Sequence, residues 1–283
     1  MTLAYITWNV DPEIFRIGSF AIRWYGLLFA LGFFLGYLIL LKVFNKEGIP
    51  IKVLDELTTY MVIGTVVGAR LGHCLFYEPS YYLSHPLRIL MVWEGGLASH
   101  GAGIAIVLSI WLFSYKKKMS FLWVMDRVVI TVALAGMLIR TGNLMNSEIF
   151  GYSTSLPWGF RFVRAFDPAD TMSPMHPTQL YEGLSYLAIF LFLWSYYYRK
   201  DGKPAPGFLF GMFLVLVFGA RFLIEFLKKP QVQVFEEALK TKIGMNLGQL
   251  LSIPFILAGI LLILYSKDII RGKTVKTDRV DES

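Results

Sequence analysis

Residues 128–151 read VVITVALAGMLIRTGNLMNSEIFG: an unbroken apolar run that gives way to an arginine, two asparagines and a glutamate. A connection that only reverses the chain needs none of those four polar side chains. The run before them is built like a membrane helix, and the composition agrees. Of 283 residues 55% are hydrophobic and 17% charged, against about 25% charged in an average soluble domain. The mean hydropathy is +0.55. Further apolar runs reach the length of about 20 residues that a hydrocarbon core of about 30 Å requires. An all-α integral membrane protein is expected.

Seven transmembrane helices are predicted, at about 20–41, 57–77, 96–115, 121–140, 178–198, 206–227 and 246–266. They make one polytopic domain over 1–266, with a small head outside the membrane at about 141–177 and a polar tail at 267–283. Small residues in GLASHGAGIAIVLSIWLF, the third span, let helices approach closely. Whether 152–175 is a lid or a folded head stays open at this point.

Lys and Arg gather in the short loops 42–52, 115–120 and 197–203 and in the tail. The positive-inside rule then puts the N-terminus outside and the C-terminus in the cytoplasm. Lys228, Lys229, Lys240 and Lys242 weigh against that orientation. The same loops account for the net charge of +7, and no basic stripe interleaved with aromatics suggests nucleic acid. One cysteine, Cys74, excludes an internal disulfide and a Cys-cluster metal site. The N-terminus lacks the basic segment and small-residue cleavage site of a signal peptide, so no removal is expected.

With this topology the unusual polar residues fall at one depth, in the outer half. Arg70 lies in span two, His100 opens span three, Arg140 closes span four, His176 precedes span five, and Arg221 and Glu225 lie near the outer end of span six. An arginine at the centre of a membrane helix costs about 2.5–3.5 kcal/mol, less toward the interface. A single one is readily an interface anchor, and Arg221 and Glu225, four apart, can neutralise each other. Three arginines against Glu148 and Glu225 leave positive charge over, and a lipid phosphate is the anion at that depth. The cytoplasmic half is expected to hold almost no buried polar chemistry.

On a continuing helix Arg140 and Asn143 share a face, with Asn146 or Ser147 a turn further. Gly142 and Gly151 permit a bend or a close backbone approach. The guanidinium presents a planar fork to phosphate oxygens, the Asn amides suit glycerol hydroxyls or ester carbonyls, and Glu148 can orient an arginine. The four histidines have no metal-ligand spacing. His100, among glycines in SHGAG, reads as a helix-to-helix hydrogen-bonding residue or as one that substrate approaches. These residues together read as a phosphate-headgroup site.

IRWYG at 22–26, GARLGHCLFY at 68–77, GGLASHGAG at 95–103, RTGNLMNSEIFG, MHPTQLYEG at 175–183 and RFLIEF at 221–226 together resemble the prolipoprotein diacylglyceryl transferase family over essentially the whole chain. Its signature, Gly-Arg-x-Gly-Asn-Phe-x-Asn-x-Glu-x-x-Gly, is matched at Arg140, Gly142, Asn143, Asn146, Glu148 and Gly151. Ile139 and Leu144 depart from it without removing a functional group, and KKPQ at 228–231 lacks the acid the family often carries there.

The resemblance implies a bacterial inner-membrane transferase that begins lipoprotein maturation. It would move the diacylglyceryl group of phosphatidylglycerol to the lipobox cysteine of a preprolipoprotein, forming a thioether and releasing glycerol 1-phosphate. It implies catalytic roles for His100, Arg140 and Arg221, and no cofactor. Asn143, Asn146, Glu148, Gly151, Glu225, Tyr25 and Arg70 are expected to bind substrate. The sulfur nucleophile belongs to the substrate, which leaves Cys74 as packing. The rival reading, a transporter or flippase for an anionic lipid, would use the same arginines but needs polar residues continuing through the inner half.

Overall fold

The computed structural model describes residues 5–18, 20–92, 95–96, 98–229 and 244–270. The chain forms two compact units, Leu40–Arg127 and the combination of Met1–Ile39 with Val128–Ser283. Helix α1 (Trp24–Lys46) and helix α5 (Phe121–Met145) each contribute to both.

In the Leu40–Arg127 unit, α1 ends where Gly48 takes a left-handed conformation at φ 71°. There the Ile49 amide donates to the Phe44 carbonyl at 2.9 Å, and Pro50 follows, so the helix cannot continue. Helix α2 (Ile51–Phe76), the short α3 (Pro79–Ser84), a 3-10 turn (Pro86–Leu90) and α4 (Ser99–Lys117) complete the unit. Helices α2 and α4 touch along a stripe of small residues. Gly64, Gly68 and Gly72, four apart, face Gly101, Ala105 and Ser109, also four apart. A Cβ on Gly68 would stand 2.6 Å from the Gly101 carbonyl oxygen, and one on Gly72 would stand 2.8 Å from the Gly101 Cα. Between apolar helices in lipid, backbone contact of this kind replaces the missing hydrophobic drive.

Toward the Lys116–Lys118 end of the same unit lies a buried ion pair. Arg127 donates from Nε and Nη2 to the two carboxylate oxygens of Glu47, each at 3.1 Å, and its guanidinium lies 4.3 Å from the Trp123 ring centroid. Asp126 beside it is fully buried. This corrects the expectation that the half with the basic loops holds almost no buried polar chemistry. The reason is physical: a bidentate guanidinium–carboxylate pair satisfies itself and can be enclosed.

The other unit is built on α1 up to Ile39, α5 from Val128, α6 (Thr178–Arg199), α7 (Phe208–Ile224) and α8 (Leu247–Ile270). Gly32 meets Ala135 and Gly36 meets Thr131, which brings α1 onto α5. Gly211 and Gly259 do the same for α7 and α8, where a Cβ on either would lie 2.8 or 2.7 Å from the other's carbonyl oxygen. Residues between α5 and α6 form a folded head rather than an open lid. Leu144, Phe150, Phe160, Phe162 and Met175 are buried together, with Trp8 and Leu180 against them. Strand β1 (Ile6–Trp8) runs parallel to β4 (Phe160–Phe162), and the Trp8 indole donates to the Leu144 carbonyl at 2.9 Å. Strands β2 (Glu13–Ile17) and β3 (Phe20–Arg23) pair as an antiparallel hairpin.

The chain is thus mostly helical, but the four short strands correct the expectation of an all-α fold. Residues 20–23 are strand, so the first helix starts at Trp24. Trp24–Lys46, Ile51–Phe76, Phe121–Met145 and Leu247–Ser266 are long and apolar enough to cross a membrane, and Phe208–Ile224 is a shorter apolar helix. Helices α4 and α6, with polar starts SHGAG and TQLYEG, fall outside that set. Helix α5 runs past Arg140 to Met145, so the arginine lies inside the helix rather than closing it. Residues 267–270 belong to α8, and the rest of the predicted polar tail lies outside the described residues, as do Lys240 and Lys242.

Gly68→Ala tests the α2–α4 contact. Its Cβ meets backbone, which cannot rotate away, so a loss of about 1–3 kcal/mol is expected, read as a lower thermal midpoint in detergent. An unchanged midpoint would mean the two helices can separate freely.

Candidate active site

The polar centre of the Met1–Ile39 and Val128–Ser283 unit starts at Arg140. Its Nη1 donates to Asn143 Oδ1 at 3.0 Å, as the three-residue spacing on one helix face requires. Asn143 Nδ2 in turn donates to Glu148 Oε1 at 2.8 Å, and Asn146 Nδ2 reaches the same oxygen at 3.2 Å. Glu148 is therefore held by two amides, while the carboxylate that pairs with the Arg140 guanidinium is Glu182 of α6. Tyr186, one turn along α6, neighbours the same guanidinium.

From Glu182 the charges alternate. Lys228 Nζ lies 3.3 Å from Glu182 Oε1 and 3.2 Å from Glu225 Oε1. Glu225 also contacts Arg221 Nε at 3.6 Å, and its other oxygen accepts from Asn246 Nδ2 at 3.3 Å. Gly248 leaves the space that this carboxylate occupies. The two inner carboxylates are 1% and 9% exposed, whereas the Arg221 side chain is 36% exposed. Arg221 is the open end of the series.

The turn carrying Glu148 is strained. Ser147 and Ile149 on either side of it have φ of 53° and 61°. For a β-branched residue that is a true outlier, and it persists only where the surroundings impose it. The N-terminus of α6 does so: Gln179 Nε2 donates to the Glu148 carbonyl at 2.6 Å, and the Thr178 hydroxyl donates to the Ile149 carbonyl at 2.9 Å. Gly151 closes the turn. Its amide donates to the His176 carbonyl at 2.8 Å, and a Cβ there would meet the His176 Cβ at 2.8 Å and the Leu227 carbonyl still closer. Gly142 gives up its side-chain space to Tyr25, whose Cδ2 a Cβ would approach to 2.8 Å. His176 braces the head through Tyr181, with Nδ1 and the hydroxyl 3.2 Å apart. Burial pushes its pKa down.

Of the expected site residues, Tyr25, Arg140, Asn143, Asn146, Glu148, Gly151, Arg221 and Glu225 lie in this unit. Arg70 and His100 belong to the Leu40–Arg127 unit. Arg70 is 2% exposed, and its donors reach four backbone carbonyls, those of Arg88, Ile89, Gly95 and Gly96, at 2.5–3.4 Å. The Tyr82 ring lies 5.0 Å from the guanidinium. Arg70 thus ties together the backbone at Arg88, Ile89, Gly95 and Gly96. His100 is exposed in the first turn of α4, its ring 5.4 Å from Phe76 and 5.8 Å from Tyr77 between centroids.

Within this unit Glu182 and Lys228 join the expected residues, so three cations, Arg140, Arg221 and Lys228, stand with three carboxylates, Glu148, Glu182 and Glu225. Within this unit what remains for an anion is not net charge but the Arg221 donors that no described residue engages. Sequence reasoning missed Glu182, Lys228, Gln179 and Asn246. A lone glutamate inside a predicted span was the available signal for Glu182. In the sequence alone Lys228 reads only as a loop charge.

A multi-pass membrane protein with an arginine–carboxylate centre beside a strained polar turn is the class these features define. A family model described as prolipoprotein diacylglyceryl transferase matches residues 12–265. A phosphatidylglycerol–prolipoprotein diacylglyceryl transferase of Tolumonas auensis is 52% identical over 260 residues, covering 92% of this chain and 96% of the relative. Relatives with the same description from Porphyromonas gingivalis and Chloroherpeton thalassium are 48% and 44% identical, covering 93% and 94% of this chain and 96% of each relative. The chain belongs to the prolipoprotein diacylglyceryl transferase family, and its activity is that of a transferase.

Gln179→Ala is expected to leave the Glu148 carbonyl without its donor and the strained turn without a brace. A buried acceptor left unmatched costs about 1–3 kcal/mol, so the thermal midpoint should fall. No change would show that the turn holds itself.

Proposed function

We propose that Arg140 and Arg221 bind the phosphate of phosphatidylglycerol while its diacylglyceryl group passes to the thiol of a lipobox cysteine in a preprolipoprotein. The substrate sulfur forms a bond to the glycerol carbon that carries the phosphate, and the carbon–oxygen bond to phosphate breaks. Glycerol 1-phosphate leaves with the electron pair, and the thiol proton goes to a base. The phosphodiester begins with one negative charge and departs as a phosphomonoester with a second one developing. Donors fixed around that phosphate therefore gain most in the transition state, and this difference accelerates the reaction.

The observation that carries the reading is the shared carboxylate series, which orients both arginines while leaving Arg221 open. Asn143, Asn146 and Glu148 are assigned to the glycerol and ester groups, Tyr25 and Glu225 to the walls of the same centre, and Gly151 to the close approach that shapes it. Arg70 is assigned to holding the segment before His100. His100 is proposed as the base, on the family resemblance. A free thiol has a pKa of about 8.5 that nearby positive charge lowers, so the base has only a modest task. The sulfur comes from the substrate, and the buried Cys74 takes no part.

Helices α1, α2, α4, α5, α6, α7 and α8 are assigned as seven spans of a bacterial inner membrane, with the N-terminus outside, the C-terminus inside and the head on the extracytoplasmic face. A flippase would need an open polar path toward the other side. The buried Arg127 is instead closed off by its pairing with Glu47.

The test is reconstitution of the purified protein with phosphatidylglycerol and a lipobox peptide, following glycerol 1-phosphate. Release should require the cysteine and vanish with a serine peptide. Loss of a charge-stabilising donor typically costs about 100–1000-fold in turnover, which is the expectation for Arg140→Ala; full activity there would sink the clamp. For His100→Gln a fall of about 100-fold or more is expected of a lost general base, and near-normal turnover would remove that assignment.

A further inference from the structure

Lys228 stands in the turn that follows α7, and its ammonium reaches carboxylates from two parts of the chain, Glu182 and Glu225. Each of these holds one arginine, Glu182 pairing with Arg140 and Glu225 with Arg221. The lysine side chain is only 5% exposed. Two buried carboxylates facing one site repel, and a cation between them offsets that repulsion. An ammonium with three donors can serve both at once.

Its backbone is fixed as well. Lys228 forms a bridge with Gly151, the Tyr152 amide donates to the Leu227 carbonyl at 2.8 Å, and the Lys229 amide donates to the Phe150 carbonyl at 3.3 Å. The polar turn that carries Glu148 therefore also anchors the lysine. Arg140 sits on α5 and Arg221 on α7, and helix packing alone does not set the spacing of two long, flexible guanidinium side chains. The Glu182–Lys228–Glu225 bridge does.

We propose that Glu182 and Lys228 are positioning residues of the transfer reaction. Through the two carboxylates they fix Arg140 and Arg221 relative to each other, and so the separation at which two guanidinium groups meet one phosphate. This rests on the arginines' role as a phosphate clamp. Neither Glu182 nor Lys228 touches the reacting atoms in this scheme.

The experiment uses the full-length protein in detergent micelles with phosphatidylglycerol and a lipobox peptide, measuring kcat, KM for the lipid and the thermal midpoint of each sample. A misplacement of about 1 Å costs on the order of 100-fold, so Lys228→Met should lose about that in kcat, with KM changed by less than about fivefold. Lys228→Arg keeps the charge and can bridge two carboxylates, and should retain activity to within about tenfold. The double variant Glu182→Gln with Lys228→Met removes a carboxylate together with its cation. Its thermal midpoint should recover relative to Lys228→Met while kcat stays low, because Arg140 still lacks its partner.

Recovery of kcat together with the midpoint would mean the pair serves stability alone, and would overturn the proposal. So would Lys228→Met turnover within about threefold of the unmodified protein, since contacts in one network couple measurably. Arg140→Ala separates the two levels. If it stays fully active, the clamp itself is wrong; if it is inactive while Lys228→Met is active, only the positioning role fails.

Discussion

The carboxylate of Glu182, 1% exposed in the interior of a helical membrane protein, is enclosed against two cations. Removing one partner of such a pair leaves an uncompensated buried charge and costs about 3–5 kcal/mol. Arg140 and Lys228 are those partners, and most of the polar architecture follows from keeping them there. Arg140 must sit inside α5 rather than at its end. Lys228 must be drawn in from beyond α7, which brings Glu225 and then Arg221 into the series. The network is therefore not a collection of independent anchors, and each member has a reason to be where the next one needs it.

Next to this series the backbone accepts conformations that its side chains disfavour. Ile149 at φ 61° is held by donors from the start of α6, and glycines at 142 and 151 remove the side chains that would block Tyr25 and the segment around Leu227. The head supplies the counterweight. Its aromatic cluster includes Leu144, the position where the chain departs from the family's phenylalanine. That departure changes how the cluster fills, not what the polar turn can do.

The membrane class and the positions of the long helices were legible because hydropathy alone dictates them. The RTGNLMNSEIFG stretch was legible because polar residues after an apolar run have no cheap alternative use, and the Arg140–Asn143 pairing followed from helix spacing. The short strands were not legible. Ile6–Trp8 and Phe160–Phe162 pair across most of the chain, and neither has the length to show an alternation. Charge counting failed for a related reason: which arginine meets which glutamate is a tertiary fact. Arg70 reads in sequence as a substrate-binding residue, and its guanidinium closes on backbone carbonyls that no pattern of side chains could announce.

Cys74 is buried at 0% exposure within α2. For a catalyst whose chemistry alkylates thiols, that enclosure amounts to self-protection: the protein's own sulfur is kept from becoming an acceptor, and the activated lipid meets only the cysteine that a client brings. It also makes the folded enzyme silent to thiol-reactive dyes, so that in a mixture of the two every labelled sulfur reports on the client.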